Sequence, residues 1–159
     1  MAVPKSVVRI NKDGVHMESN VERTAYTITE LSRAALRDVA RLLRRRIKEA
    51  APVDTGNLRR NVGSWVRSTK GNEVPFLQVG VYDKERAHKK GLQHAFYAPY
   101  LELGSSRQDA VNHGQGFIRP TVMSSVDDIR RIQGQYLSAI EEENKALGLI
   151  DEDEEVADD

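Results

Sequence analysis

The ten residues Ala51-Pro52-Val53-Asp54-Thr55-Gly56-Asn57-Leu58-Arg59-Arg60 force this chain to reverse direction. They close a helical pattern over 20–50 and open a β-rich region. Pro52 lacks an N–H and biases Ala51 away from the α region, so it stops the helix. Asp54 and Thr55 have side chains able to hydrogen-bond nearby backbone N–H groups, and Gly56 can take φ > 0. Leu58 supplies an apolar anchor past the turn. Taken alone, these residues make an ordinary helix-to-strand turn. Pro52, Asp54, Thr55, Gly56 and Leu58 are therefore assigned architectural roles.

The helix before the turn opens on Ser19-Asn20-Val21-Glu22, which fits a capping box. Ile28, Leu31, Ala35, Val39, Leu42 and Ile47, flanked by Leu36 and Leu43, form one apolar face. A continuous helix over 20–50 spans about 45 Å. Thr24, Thr27 and Thr29 weaken its first turns. Arg33, Arg37, Arg41, Arg44 and Lys48 recur every three or four residues on another face, with Arg45 and Arg46 beside it. Between Arg33 and Lys48 the only carboxylate is Asp38, with Glu49 just beyond. Like charges at i,i+4 oppose the helix. The excess points to an anionic partner, either a nucleic-acid backbone or an acidic protein surface.

Before this helix, residues 5–18 read as a β-hairpin turning at Asp13-Gly14. After the reversal, Asn61–Arg67 and Val74–Tyr82 read as antiparallel strands joined at Lys70-Gly71-Asn72. Pro75 places the second strand at a sheet edge or after a bulge. The charged excursion from Asp83 to His94 reads as an exposed, mobile loop. Phe96-Tyr97-Ala98-Pro99-Tyr100-Leu101-Glu102-Leu103-Gly104 is aromatic-rich and reads as a short packed turn with Glu102 its one formal charge. Ser105–Gly116 is a second loop. Phe117-Ile118-Arg119 leads into a helix with Pro120 in its first turn, carried by Val122, Val126, Ile129, Tyr136 and Ile140 and weakened at Gly134.

The expected fold class is α+β: a small antiparallel β-sheet packed by two long helices over 20–50 and 120–146, with an N-terminal β-hairpin and a disordered acidic C-terminal tail. The expected units are an arm over 1–18, a domain over 19–146 and a tail over 147–159. The formal net charge of zero conceals a segregation. From Glu141 onward there are ten acidic residues against Lys145 alone, whereas the preceding 140 residues hold 23 Lys+Arg against 14 Asp+Glu. A basic body with an acidic tail points to partners, in trans or from neighbouring copies.

The chain has no cysteine, which excludes disulfides, thiolate metal sites and a catalytic thiol. No apolar run approaches the ~18 residues of a membrane span, and Met1–Lys5 lacks an apolar signal core, so a soluble cytosolic product with no membrane partner is expected. Hydrolysis needs a nucleophile, a base and an oxyanion hole in one place. Ser105, Ser106, His94, His113, Glu102 and Asp54 are the candidates, without a Gly-x-Ser-x-Gly elbow. His88, His94 and His113 lack zincin spacing, and neither a Walker loop nor a dinucleotide fingerprint occurs. No catalytic residue, metal ligand or cofactor is assigned.

Four segments in order carry a resemblance: Ala51–Arg60, Val79-Gly80-Val81, Tyr97-Ala98-Pro99-Tyr100-Leu101-Glu102-Leu103-Gly104, and Gly116-Phe117-Ile118-Arg119-Pro120. Together they resemble the neck and tail-completion (head-to-tail joining, minor tail) proteins of tailed bacteriophages, over roughly residues 20–145. Leu103 stands where an aromatic is common, Thr121 replaces the usual alanine, and the basic excursion is long. The resemblance implies a structural virion protein made in the host bacterial cytoplasm, with no enzymatic activity. It implies a ring of identical subunits at the neck, touching head-closure or connector and tail proteins, with genome DNA passing through the channel. Tyr97, Tyr100, Glu102, Gly104, Phe117 and Pro120 are expected to form a packed motif. Arg33, Arg37, Arg41, Arg44 and Lys48 are expected to face either the DNA lumen, contacting backbone only, or a partner protein. The alternative is a nucleic-acid-binding protein without sequence specificity that uses this arginine-rich face.

Overall fold

A computed structural model describes residues 8–12, 14–19, 21–69, 72–105, 112–140 and 149. Strand β1 (Val8–Lys12) pairs antiparallel with β2 (Val15–Ser19), placing Lys12 opposite Val15. Gly14 takes φ 80° in their turn. Asp13, the capping-box side chains, the Lys70-Gly71 turn, residues 106–111 of the Ser105–Gly116 loop and the acidic tail lie outside what is described.

Helix α1 (Val21–Ala50) is continuous over 30 residues and carries the rest of the fold. Thr29 and Ser32 bond back to the carbonyls of Ala25 and Ile28, which satisfies their hydroxyls within the helix. Leu31, Ala35, Val39, Leu43 and Ile47 are buried, so the inward stripe passes through Leu43; Leu42 is only half-buried and Ile28 is exposed. The shift follows from two packing partners that α1 meets along its length.

Its C-terminal half lies against β3 (Val62–Thr69) and β4 (Asn72–Val81), an antiparallel pair in register Val62–Val81 through Ser68–Pro75. The register slips between Ser68 and Thr69, so Pro75 sits beside the irregularity in a strand that has one neighbour among the described residues. A short helix, α2 (Asn57–Asn61), stands between the reversal and the sheet, so the first strand starts at Val62, one residue after the expected Asn61. Leu77, Val79 and Val81 face the main core with Val62. Alternation along β3 turns Gly63 and Trp65 to the opposite face.

The excursion after β4 is ordered. Helix α3 (Lys84–Lys89) is capped by Asp83, whose carboxylate accepts from the Arg86 amide at 2.8 Å, and Gly91 follows it at φ 64°. It docks on the outer sheet face: Ala87 is buried, the Arg86 guanidinium lies 4.5 Å over Trp65, and the Lys90 ammonium lies 5.4 Å over Tyr82. Tyr82 meets Trp65 edge to face at 5.7 Å, in space that a side chain at Gly63 would occupy. The expectation of a mobile loop is corrected here, because cation–π contacts and one alanine anchor a helix too short for hydrophobic periodicity.

Helix α4 (Ala98–Leu103) replaces the expected turn, and β5 (Gly104–Ser105) pairs with β6 (Asn112–His113). The expected second long helix is two: α5 (Ile118–Ser124) and α6 (Val126–Leu137). The break falls at Ser125 and not at Gly134. Buried Ser125 donates to the Thr121 carbonyl at 2.7 Å and accepts from Arg46 of α1 at 2.9 Å. Arg46 also reaches Asp128 at 2.6 Å, so one α1 side chain holds the corner. Further along α6, Tyr136 packs with Leu31, Ala34 and Ala35 in a second core cluster and hydrogen-bonds Asp38. Among the described residues no helix is long and apolar enough to cross a membrane.

Candidate assembly surface

The reversal at Ala51–Arg60 is held mainly by groups that its turn chemistry does not announce. Gly56 is left-handed (φ 73°), and Thr55 Oγ1 accepts only a long 3.4 Å bond from the Asn57 amide. Asp54 is exposed, and no hydrogen bond joins it to the turn among the described residues. Arg59 instead donates to the carbonyls of Glu49 and Ala51 at 3.3 Å each, groups that the end of α1 leaves without intrahelical partners. Arg60 donates to the Thr55 carbonyl, also at 3.3 Å. Asn61, fully buried, donates from Nδ2 to the carbonyls of Asn57 (2.8 Å) and Gln93 (2.9 Å), tying the turn to the approach of α4. Leu58 is buried in the main core.

All four segments that carried the resemblance contribute to that core, around Ile47: Leu58, then Val79 and Val81, then Tyr97, Ala98 and Leu101, then Phe117 and Ile118. The last two segments are also joined by a carboxylate. Glu102 accepts from the amides of Phe117 (2.7 Å), Ile118 (2.9 Å) and Arg119 (2.9 Å), so a side chain of α4 caps α5. Burial pushes its pKa up, but the three amides outweigh this and hold it below the ordinary glutamate value. The main chain closes the same junction. The amides of Gln115 and Gly116 donate to Leu101, and a Cβ on Gly114 would fall 2.4 Å from the Gly104 nitrogen. Gly104 itself takes φ 86°.

Tyr100 and Pro120, expected within the packed motif, are exposed. Tyr100 belongs to a different feature. Around α4, Tyr97, Ala98 and Leu101 turn inward while Phe96, Pro99, Tyr100 and Leu103 turn outward, at the i, i+3, i+4, i+7 spacing of one helical face. Phe96 is 69% exposed, Tyr100 57% and Leu103 83%. A helix that is apolar on both faces matches an element buried all round. Beside this stripe is a largely apolar cleft of about 390 Å³, lined by Tyr82, His94, Phe96, Pro99, Leu103 and Ile118 among others. His94 and Glu102 share its wall; among the described residues no serine lines it, and both Glu102 oxygens are engaged on α5.

A family profile described as "Bacteriophage HK97-gp10, putative tail-component" matches residues 16–104. The chain belongs to this HK97-gp10-like family. No curated protein matches the chain, and no solved structure matches it. The matched span of this HK97-gp10-like protein takes in the reversal, the sheet, α3 and α4. It stops short of Phe117–Pro120, which the Glu102 cap attaches to it.

The basic row of α1 is more neutralised than its spacing suggests. Arg33 pairs with Glu30, one turn earlier, and reaches Ser68 Oγ at 3.3 Å; Arg41 pairs with Asp38; Arg46 pairs with Asp128. Arg44, Arg45 and Lys48 form no ion pair with the described residues, and Arg44 and Arg45 are exposed.

Proposed function

We propose that this HK97-gp10-like chain is a structural, non-catalytic virion protein of a tailed phage, a ring-forming neck or tail-completion subunit that joins the DNA-filled head to the tail. The exposed stripe Phe96, Pro99, Tyr100 and Leu103 carries the reading. A closed ring needs heterologous contacts between identical subunits, and the core of such a contact is enriched in aromatic and apolar side chains. The remaining partners are the head-closure or connector protein on one side and a tail protein on the other. Arg44, Arg45 and Lys48 touch only the backbone of the phage DNA in the channel. The function calls for no cofactor or metal.

Sedimentation velocity and negative-stain microscopy of the purified chain test the proposal, alone and with its connector. The wild type forms rings, whereas Tyr100→Ser with Leu103→Ser gives a monomer of unchanged circular dichroism. A wild type that stays monomeric under both conditions, or a double variant that assembles normally, overturns it. The exposed cations of α1 favour a second reading, in which the isolated chain binds duplex DNA without sequence preference. That reading requires an affinity falling steeply with salt and lost in Arg44→Glu with Lys48→Glu.

A further inference from the structure

The cations of α3 have no counterpart in the core. Lys84, Lys89 and Lys90 are exposed along a helix held to the sheet by Ala87 and Arg86, and Arg67 is exposed on neighbouring β3. Asp83 is engaged in capping and with the Arg86 guanidinium at 3.5 Å, leaving Glu85 as the only other carboxylate on this helix. Docking through Trp65 and Tyr82 fixes a basic rim beside the apolar cleft. The matching ligand is an acidic peptide with an aliphatic side chain among its carboxylates. This chain contains one: Asp151-Glu152-Asp153-Glu154-Glu155-Val156-Ala157-Asp158-Asp159.

Resting on the ring reading above, we propose that α3 and the adjoining cleft bind residues 151–159 of a neighbouring copy. The carboxylates of 151–155 face Lys84, Lys89 and Lys90, and Val156 enters the cleft. The reach favours a neighbour over the same chain. Leu149 packs against the Leu31, Ala34, Ala35 and Tyr136 cluster, on the α1 side of the sheet, whereas α3 lies on the other face. Helix, sheet and helix stack at on the order of 10 Å per layer. Fully extended, residues 151–155 lie only about 7–21 Å from Leu149, with the sheet in the way. A head-to-tail contact brings the acidic segment of one copy to α3 of the next without that detour, and both arise on every subunit, as a heterologous ring requires.

The test uses full-length chains and a fluorescein-labelled peptide of residues 150–159. The receptor is the chain carrying Asp151→Asn, Glu152→Gln, Asp153→Asn, Glu154→Gln and Glu155→Gln, whose own segment no longer competes. Anisotropy should show saturable binding that weakens at least tenfold with added salt, and at least tenfold on adding Lys84→Glu and Lys89→Glu to the receptor. A Val156→Asp peptide should also bind less tightly. No binding, or binding indifferent to α3, overturns the proposal. So does a short duplex DNA that binds α3 in preference to the peptide. A charge-swap experiment then separates copies. Chains with Lys84→Glu and Lys89→Glu, and chains with Glu152→Lys and Glu154→Lys, should each assemble poorly alone and recover when mixed. Recovery only when both sets share one chain means an intrachain contact and overturns the proposal. Rings without peptide binding defeat this contact and leave the ring reading standing; peptide binding without rings does the reverse.

Discussion

The carboxylate of Glu102 holds the Phe117 amide at 2.7 Å across 15 residues of sequence, and through it the start of α5 is fixed to α4. Because α4 also presents the outward stripe, the same helix links the core to the candidate contact surface.

Replacing Glu102 by alanine strips three amides of their acceptor and should cost about 2 kcal/mol, by analogy with other lost helix caps, or ~4–8 °C in Tm for a chain of this size. Glu102→Gln retains an acceptor and should cost less. The pH dependence has a defined sign. The folded pKa is below the ordinary value of 4.5, so the folded state binds the proton less readily than the unfolded one. The stabilisation is fully present above 4.5 and is lost as pH falls through the lowered folded value. Thermal melts from pH 7 to pH 3 should show the gap between wild type and Glu102→Gln narrowing at the acid end; a constant gap counts against the cap.

Two glycines should respond oppositely to alanine. A Cβ on Gly114 meets backbone atoms at 2.4–2.6 Å, and backbone cannot swing aside, so Gly114→Ala should separate β6 from the end of α4 and lower Tm markedly. Gly134 lies inside α6 with nothing within 4 Å of its Cβ position. Gly134→Ala should raise stability by about 0.5–1 kcal/mol through helix propensity. Denaturant midpoints moving the same way for both would refute the contrast.

The two-stranded sheet and α1 were legible because periodicity accumulates over many residues. Features set by one contact were not. The α5–α6 break depends on Arg46, 79 residues from Ser125, and no local residue type announces it. The bracket of Asp83 and Gly91 around α3 was readable as a cap and a stop, but the surrounding charges favoured a loop reading. In the basic row, Glu30 was available at i−3 to Arg33, whereas the pairing of Arg46 with Asp128 required the fold. Glu102 stood out as the lone charge in an aromatic segment, yet its partners lie beyond the glycine-rich loop.

Arg46 should matter more than a surface cation. Its loss leaves the buried Ser125 oxygen without its guanidinium donor, at a cost of about 1 kcal/mol for that hydrogen bond. It also removes one of two arginines from Asp128, whose pKa is lowered first by the hydrogen bond from Arg46 and then by that from Arg131. Arg46→Met should keep the packing of α1, lower Tm and raise the Asp128 pKa toward its usual value. Carboxyl NMR titration would read the latter directly, and an unmoved Asp128 titration would show that the corner is held otherwise.

Asn61 should tolerate neither an apolar nor an acidic substitute. Its Nδ2 serves the carbonyls of Asn57 and Gln93, and Oδ1 has no hydrogen-bond partner among the described residues. Leucine would leave both carbonyls without this donor, at a cost of about 1 kcal/mol for each hydrogen bond lost. Aspartate is nearly isosteric, yet it would place a buried charge against the same carbonyls, which adds desolvation and repulsion. The expected order of Tm at neutral pH is wild type, then Asn61→Leu, then Asn61→Asp. On acidification the aspartate variant should recover part of its deficit, since its protonated form can donate once. An aspartate variant as stable as wild type at pH 7 would mean that the amide donors do not hold the turn to the approach of α4.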